Sequence, residues 1–133
     1  MNKKDRDYMI PKLRVWDNED KEMLEVHGIN YDAEGIWTRE TIDDEDDGNF
    51  ILLSDIEIMQ STGLKDKNGV EIFEGDVIRN NYGEHGYIKW SSGGFVYHED
   101  GANFYLFSIG AGQPFEVIGN IYEHPNLLNN RFK

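Results

Sequence analysis

Between residues 60 and 122 glycine interrupts the chain every few positions, and the segments between the interruptions are short, apolar and aromatic. Val70-Glu71-Ile72-Phe73, Val77-Ile78-Arg79-Asn80, Gly86-Tyr87-Ile88-Lys89-Trp90, Gly94-Phe95-Val96-Tyr97-His98, Phe104-Tyr105-Leu106-Phe107 and Phe115-Glu116-Val117-Ile118-Gly119-Asn120-Ile121-Tyr122 read as strands. β-Branched and aromatic side chains suit a pleated surface, and glycine supplies the positive φ that tight turns need. Many short strands joined in this way predict a small barrel or sandwich. Pro11, Pro114 and Pro125 all fall at segment boundaries, where a missing N–H costs no ladder hydrogen bond. The fold class is therefore mainly β, with minor α.

Upstream, Lys12-Leu13-Arg14-Val15-Trp16-Asp17 alternates Leu13 and Val15 against Arg14 and Trp16, the period of a strand with two different faces. Asn18-Glu19-Asp20-Lys21 reads as a polar turn, and Met23-Leu24-Glu25-Val26-His27 returns as the second strand of a hairpin. Residues 28–49 hold Gly28, Gly35 and Gly48 and the run Asp43-Asp44-Glu45-Asp46-Asp47, which predicts a long mobile loop interrupted by a short strand at Gly35-Ile36-Trp37-Thr38. In Phe50–Met59 the second half alternates as a strand, and the first half is compatible with one helical turn. The organisation expected is an N-terminal hairpin subdomain with an acidic loop over 1–58, a β-barrel over 59–124 and a short tail over 125–133.

The chain has 133 residues and a formal net charge of −13, and its acidity is local. Residues 22–57 hold twelve acidic groups against Arg39 alone, which accounts for −11 of the total. Such a balance disfavours nonspecific binding to nucleic acid or to anionic membranes, which draws on clustered lysine and arginine. There is no cysteine, so disulfides, thiolate metal sites and a cysteine nucleophile are excluded. The charged start, Met1 to Asp7, leads into no apolar stretch long enough for a signal peptide or membrane span, which places the protein in the cytoplasm.

Several motifs invite a chemical reading, and each has a plainer one. Gly63-Leu64-Lys65-Asp66-Lys67-Asn68-Gly69 offers loop amides beside lysines for an anion, yet Asp66, Asn68 and Gly69 are what a tight turn requires. Glu74 and Asp76 lie two residues apart, as an acid–base pair on one strand face would, but Gly75 between them implies a bend and structural acids. Asp43, Glu45, Asp47 and Gly48 occupy positions 1, 3, 5 and 6 of a calcium loop, while Ser54 stands where the bidentate glutamate belongs. His27, His85, His98 and His124 lack metal-ligand spacing, and no nucleotide-binding or hydrolase signature is present. Trp90, Tyr97, Phe104, Tyr105 and Phe107 offer an aromatic surface for a peptide or single-stranded nucleic acid, although alternation sends about half of such residues into the core.

Three segments together resemble the YopX family. They are Lys12 to Asp17, Met59-Gln60-Ser61-Thr62-Gly63-Leu64-Lys65-Asp66-Lys67-Asn68-Gly69-Val70-Glu71-Ile72-Phe73-Glu74-Gly75-Asp76-Val77-Ile78, and Glu116-Val117-Ile118-Gly119-Asn120-Ile121-Tyr122-Glu123. The resemblance spans residues 12–128 and leaves the acidic stretch 40–47 outside its motifs. It implies an SH3-like barrel for the C-terminal part and a phage or prophage setting, and it brings neither an established activity nor recognised catalytic residues.

The function expected is that of a non-enzymatic phage or prophage accessory protein acting in the host cell's cytoplasm through protein–protein contacts. Its candidate partner-binding residues are Asp43, Asp44, Glu45, Asp46 and Asp47 together with Trp90 and Tyr97. The partner is a host or phage protein, self-association through open strand edges is the companion expectation, and neither a cofactor, a metal nor a membrane is implied. The alternative is a single-stranded nucleic-acid module in which barrel aromatics stack on bases while Arg79 and Lys89 meet phosphates. An enzyme using Asp76, Glu74 or His98 is the third reading.

Overall fold

The computed structural model describes residues 12–38, 50–106 and 115–129, and the chain divides into two compact units, Met1–Gln60 and Ser61–Lys133. Both are built from antiparallel strands, as the short alternating segments predict.

In the first unit β1 (Leu13–Asp17) lies between β2 (Glu22–Glu25) and the opening half of β6 (Ile56–Lys65), with Val15 facing Leu24 on one side and Ile58 on the other. Asp17 is buried and makes the turn that follows, its Oδ1 accepting the amides of Glu19 at 2.9 Å and Asp20 at 3.2 Å. A second sheet has β4 (Gly35–Trp37) between β3 (Gly28–Asn30) and β5 (Phe50–Leu52). The short strand expected at Gly35–Thr38 is β4, and residues 28–34, read above as loop, supply its hairpin partner β3 and the corner between them. That corner is set by Asn30, whose Oδ1 accepts the Ala33 amide at 2.9 Å. Leu53–Asp55 forms a single 3₁₀ turn, so the ambiguous segment begins as strand, turns once and resumes as β6. Val15, Ile36 and Ile56 are the buried centre, packed by Leu24, Val26, Ile29, Ile51 and Leu53. The acidic run 43–47 lies outside the described residues.

In the second unit the far half of β6 pairs with β7 (Glu71–Phe73), and the ladder is irregular between Ser61 and Lys65. Thr62–Lys65 continues as strand up to the turn expected at Asp66–Gly69, and Ser61 Oγ accepts the Gly63 amide at 3.1 Å while Thr62 Oγ1 donates to the Ile72 carbonyl at 2.7 Å. Those bonds hold a bulge in register. A five-stranded sheet follows in the order β11-β10-β9-β8-β12, made of β8 (Asp76–Arg79), β9 (His85–Ser91), β10 (Gly94–Glu99), β11 (Ala102–Tyr105) and β12 (Glu116–Asn120). Two-residue turns, Ser92-Gly93 and Asp100-Gly101, join β9 to β10 and β10 to β11, with φ positive at all four residues. That is the hairpin turn whose twist matches the strands. The tail contributes one helical turn, α1 (Asn126–Asn129).

Residues directly opposite each other in a ladder share a face of the sheet. Ile88 opposes Tyr97 and Ile78 opposes Gly86, so these side chains meet Phe95, Ile72, Leu106 and Phe115 in one core, packed further by Leu64 and Val117. Gly86 is required there by space: a Cβ would lie 2.5 Å from the His98 carbonyl and 2.7 Å from the Tyr97 ring. Gly86→Ala is expected to cost about 2 kcal/mol by overpacking, read as a lower urea midpoint. Among the described residues no helix is long and apolar enough to cross a membrane.

Candidate partner-binding site

Two turns of the second unit are closed by the same hydrogen bonds. In Asp66–Val70, Oδ1 of Asp66 accepts the amides of Asn68 and Val70, each at 2.8 Å, its own amide donates to the Val70 carbonyl, and the Gly69 amide donates back to the Asp66 carbonyl. In Asn80–Glu84, Oδ1 of Asn80 accepts the amides of Tyr82 and Glu84, each at 2.9 Å, with the matching backbone bonds to Glu84 and from Gly83. Gly69 and Gly83 supply the positive φ, 84° and 79°. A residue with a short side-chain oxygen, two variable positions and glycine is therefore a self-contained turn here.

The outer ends of the two side chains differ. The second oxygen of Asp66 accepts the Val117 amide of β12 at 2.9 Å, so this carboxylate holds its own turn and ties it to the neighbouring strand. Burial pushes the Asp66 pKa up, but the amides of Val117, Val70 and Asn68 outweigh that and leave it below the ordinary aspartate value. Asp76 is likewise structural, buried with Oδ2 accepting the Phe73 amide at 2.8 Å, and Glu74 is half-buried beside the bend at Gly75. Asn120 closes the turn after β12, taking the amides of Tyr122 and Glu123. Asp66, Asp76 and Asn120 of the motif segments are thus consumed in building turns.

Asn80 instead turns a donor outward. Its Nδ2 lies 3.3 Å from Glu84 Oε1 and 3.5 Å from Glu99 Oε1, and Glu99 Oε1 also receives the Tyr97 hydroxyl at 3.1 Å. Around these groups lies a cleft of about 280 Å³ lined by Asn80, Asn81, Tyr82, Glu84, Tyr97, Glu99, Phe104 and Phe115. Its aromatic wall includes Tyr97 and Phe115, stacked at 5.4 Å with 25° between the rings, and Phe104, which opposes Tyr97 across the β10–β11 ladder. Among the described residues neither lysine, arginine nor histidine lines it.

The aromatic residues predicted for binding separate. Tyr97 is only 2 % exposed and belongs to the core, presenting its hydroxyl to the cleft, whereas Trp90 is 54 % exposed and meets the edge of Phe95 at 4.9 Å. Phe104 and Tyr105 are also exposed, and Phe107 lies outside the described residues. The histidines are dispersed: His85 Nδ1 is 2.9 Å from the Leu127 carbonyl, His98 Nδ1 is 2.6 Å from Asn103 Oδ1, and His124 Nδ1 accepts the Asn120 amide. His98 and Glu99 point to opposite sides of β10 by alternation, so they form no pair. One carboxylate group, Asp17, Asp20 and Glu22, brings its ligand atoms within 4.8 Å of one another, with Asp17 Oδ1 already engaged in the turn. The sequence reading passed over that trio, and it also passed over the cleft.

A family model described as YopX protein matches residues 12–129. The chain belongs to the YopX family. Among solved structures, a protein of Enterococcus faecalis, EF1440, is similar to it at 36 % sequence identity and a TM-score of 0.69, covering 90 % of this chain and 98 % of that one. No curated protein matches. The YopX motif segments quoted above map onto β1, onto β6 to β8 with the Asp66 turn, and onto β12 with the Asn120 turn.

Proposed function

We propose that this YopX chain is a non-enzymatic protein-interaction module of a phage or prophage, working in the cytoplasm of the host cell. The observation that carries the reading is the division of labour in the second unit. Motif polar groups are spent on turns, while Trp90 and Phe104 remain exposed on the face that also bears the cleft. Exposed aromatic residues beside polar groups are the usual anchors of protein interfaces. Carboxylates that an acid–base mechanism would need, such as Asp76, are held by backbone amides. The run Asp43 to Asp47 adds a field that speeds encounter with a basic partner. Self-association is the companion reading, favoured by edge strand β11, which among the described residues pairs with β10 alone.

The single-stranded nucleic-acid reading has less support. Alternation puts Lys89 and Arg79 on the sheet face opposite Trp90 and Phe104, and Arg79 is paired with Glu116. A base stacked on those aromatics would therefore have its phosphates away from these cations. Tagged protein is to be incubated with infected-host lysate beside a Trp90→Ala/Phe104→Ala variant and one with residues 43–47 neutralised. The expected result is a specific protein lost with the aromatic variant and held more weakly, with less salt dependence, by the neutralised one. Equal retention by all three, or saturable binding of oligo-dT at low salt, would overturn the reading.

A further inference from the structure

We propose that the cleft between the Asn80 turn and the end of β10 takes an arginine side chain of the protein partner. This rests on the interaction-module reading and assigns its recognition chemistry. Glu84 and Glu99 converge on one donor, Asn80 Nδ2, and receive neutral groups only, the amide and the Tyr97 hydroxyl. Two carboxylates brought together with no cation among the described residues lining the cleft are poised for a charge that arrives with a ligand. The nearest arginine or lysine in sequence to Asn80, Arg79, is engaged with Glu116 and lies on the other face of the sheet by alternation.

The walls refine the choice. Phe104 and Tyr82, both exposed, give flat apolar surfaces next to the carboxylates, and the core rings of Tyr97 and Phe115 lie beneath them. A planar guanidinium stacks on such rings while its forked N–H groups meet carboxylate oxygens, and its aliphatic stem covers apolar surface. At about 280 Å³ the cleft falls below the size of drug- and cofactor-binding pockets and fits a single long side chain. Asn80 is fixed by its turn, so the carboxylates are held in place before the ligand arrives.

The test titrates the full chain with Nα-acetyl-arginine methylamide, followed by NMR, beside the uncharged isostere Nα-acetyl-citrulline methylamide. Expected are saturable shifts confined to Asn80, Glu84, Glu99, Phe104 and Phe115, with citrulline at least about tenfold weaker. Glu84→Gln/Glu99→Gln, checked for an unchanged amide spectrum elsewhere, is expected to weaken arginine by about tenfold as well. Equal binding of citrulline, shifts spread over the acidic residues of the whole chain, or full affinity in the double variant would overturn the proposal. A lysate partner held equally by wild type and Glu84→Gln/Glu99→Gln overturns the cleft and leaves the module reading standing. Arginine binding with nothing specific retained from lysate supports the cleft chemistry and overturns the module.

Discussion

The Asp66 and Asn80 turns share a backbone and diverge in one atom. Each begins with a side-chain oxygen that accepts amides two and four residues on, and each ends on a left-handed glycine. Where the second side-chain atom is an oxygen, it fastens the turn to β12 through the Val117 amide. Where it is an N–H₂, it collects Glu84 and Glu99 at the edge of a cleft. One turn is inward-looking scaffold, and its counterpart gathers two carboxylates at the rim of the cleft. Motif density therefore marks what the fold needs, and the binding chemistry proposed above sits fourteen positions further on, in the turn that copies the motif's geometry.

The comparison predicts unequal costs. Asp66→Ala leaves three amides without their acceptor and is expected to lose about 3 kcal/mol, measured by urea unfolding. Acid sharpens the same point. Because the folded pKa of Asp66 is depressed, its contribution is complete above the ordinary value of 3.8 and disappears as pH falls through the lower folded value. The urea midpoint of the wild type is expected to drop in that window, and Asp66→Asn, already destabilised at neutral pH, is expected to show a flatter acid limb. Asn80→Ala releases two exposed amides that water can reach, so about 1 kcal/mol is expected, with arginine binding weakened because the carboxylates lose their common donor. A loss as large as that of Asp66→Ala would break the comparison. Smallest of all is the pair between Arg79 and Glu116, which holds the Glu116 carboxyl below its usual range and is solvent-exposed. Arg79→Ala is expected to leave the midpoint unchanged within error, at low and high salt alike.

Much of the fold was legible because its signals are local. Asn68-Gly69, Gly93 and Gly101 announce turns through their backbone freedom, and alternation in residues 13–17 and 86–98 announces strands. The hairpin at 28–37 was hidden, since Asn30 and Glu34 make its corner without an Asn-Gly or Asp-Gly pair. The SH3-like form expected for the C-terminal strands is what the family resemblance implies; what the strands form is the five-stranded antiparallel sheet β11-β10-β9-β8-β12. The register of β9 with β10 puts Trp90 and Tyr97 on one face, and alternation carries no information on which of them reaches the rim. The cleft was invisible for a different reason: residues 80–84, 97–99, 104 and 115 meet only through the register of β8 to β11. A signal did exist in the recurrence of Asp66-x-x-Gly69 as Asn80-x-x-Gly83.

The most direct test places a photo-crosslinking amino acid at position 104, on the cleft, or at position 68, in the motif turn, and irradiates each protein in infected-host lysate. Both positions are exposed, so incorporation spares the core. The account predicts a discrete protein adduct from position 104, suppressed by Glu84→Gln/Glu99→Gln, and none from position 68. An adduct from position 68 alone would contradict it and make the motif turn the binding surface.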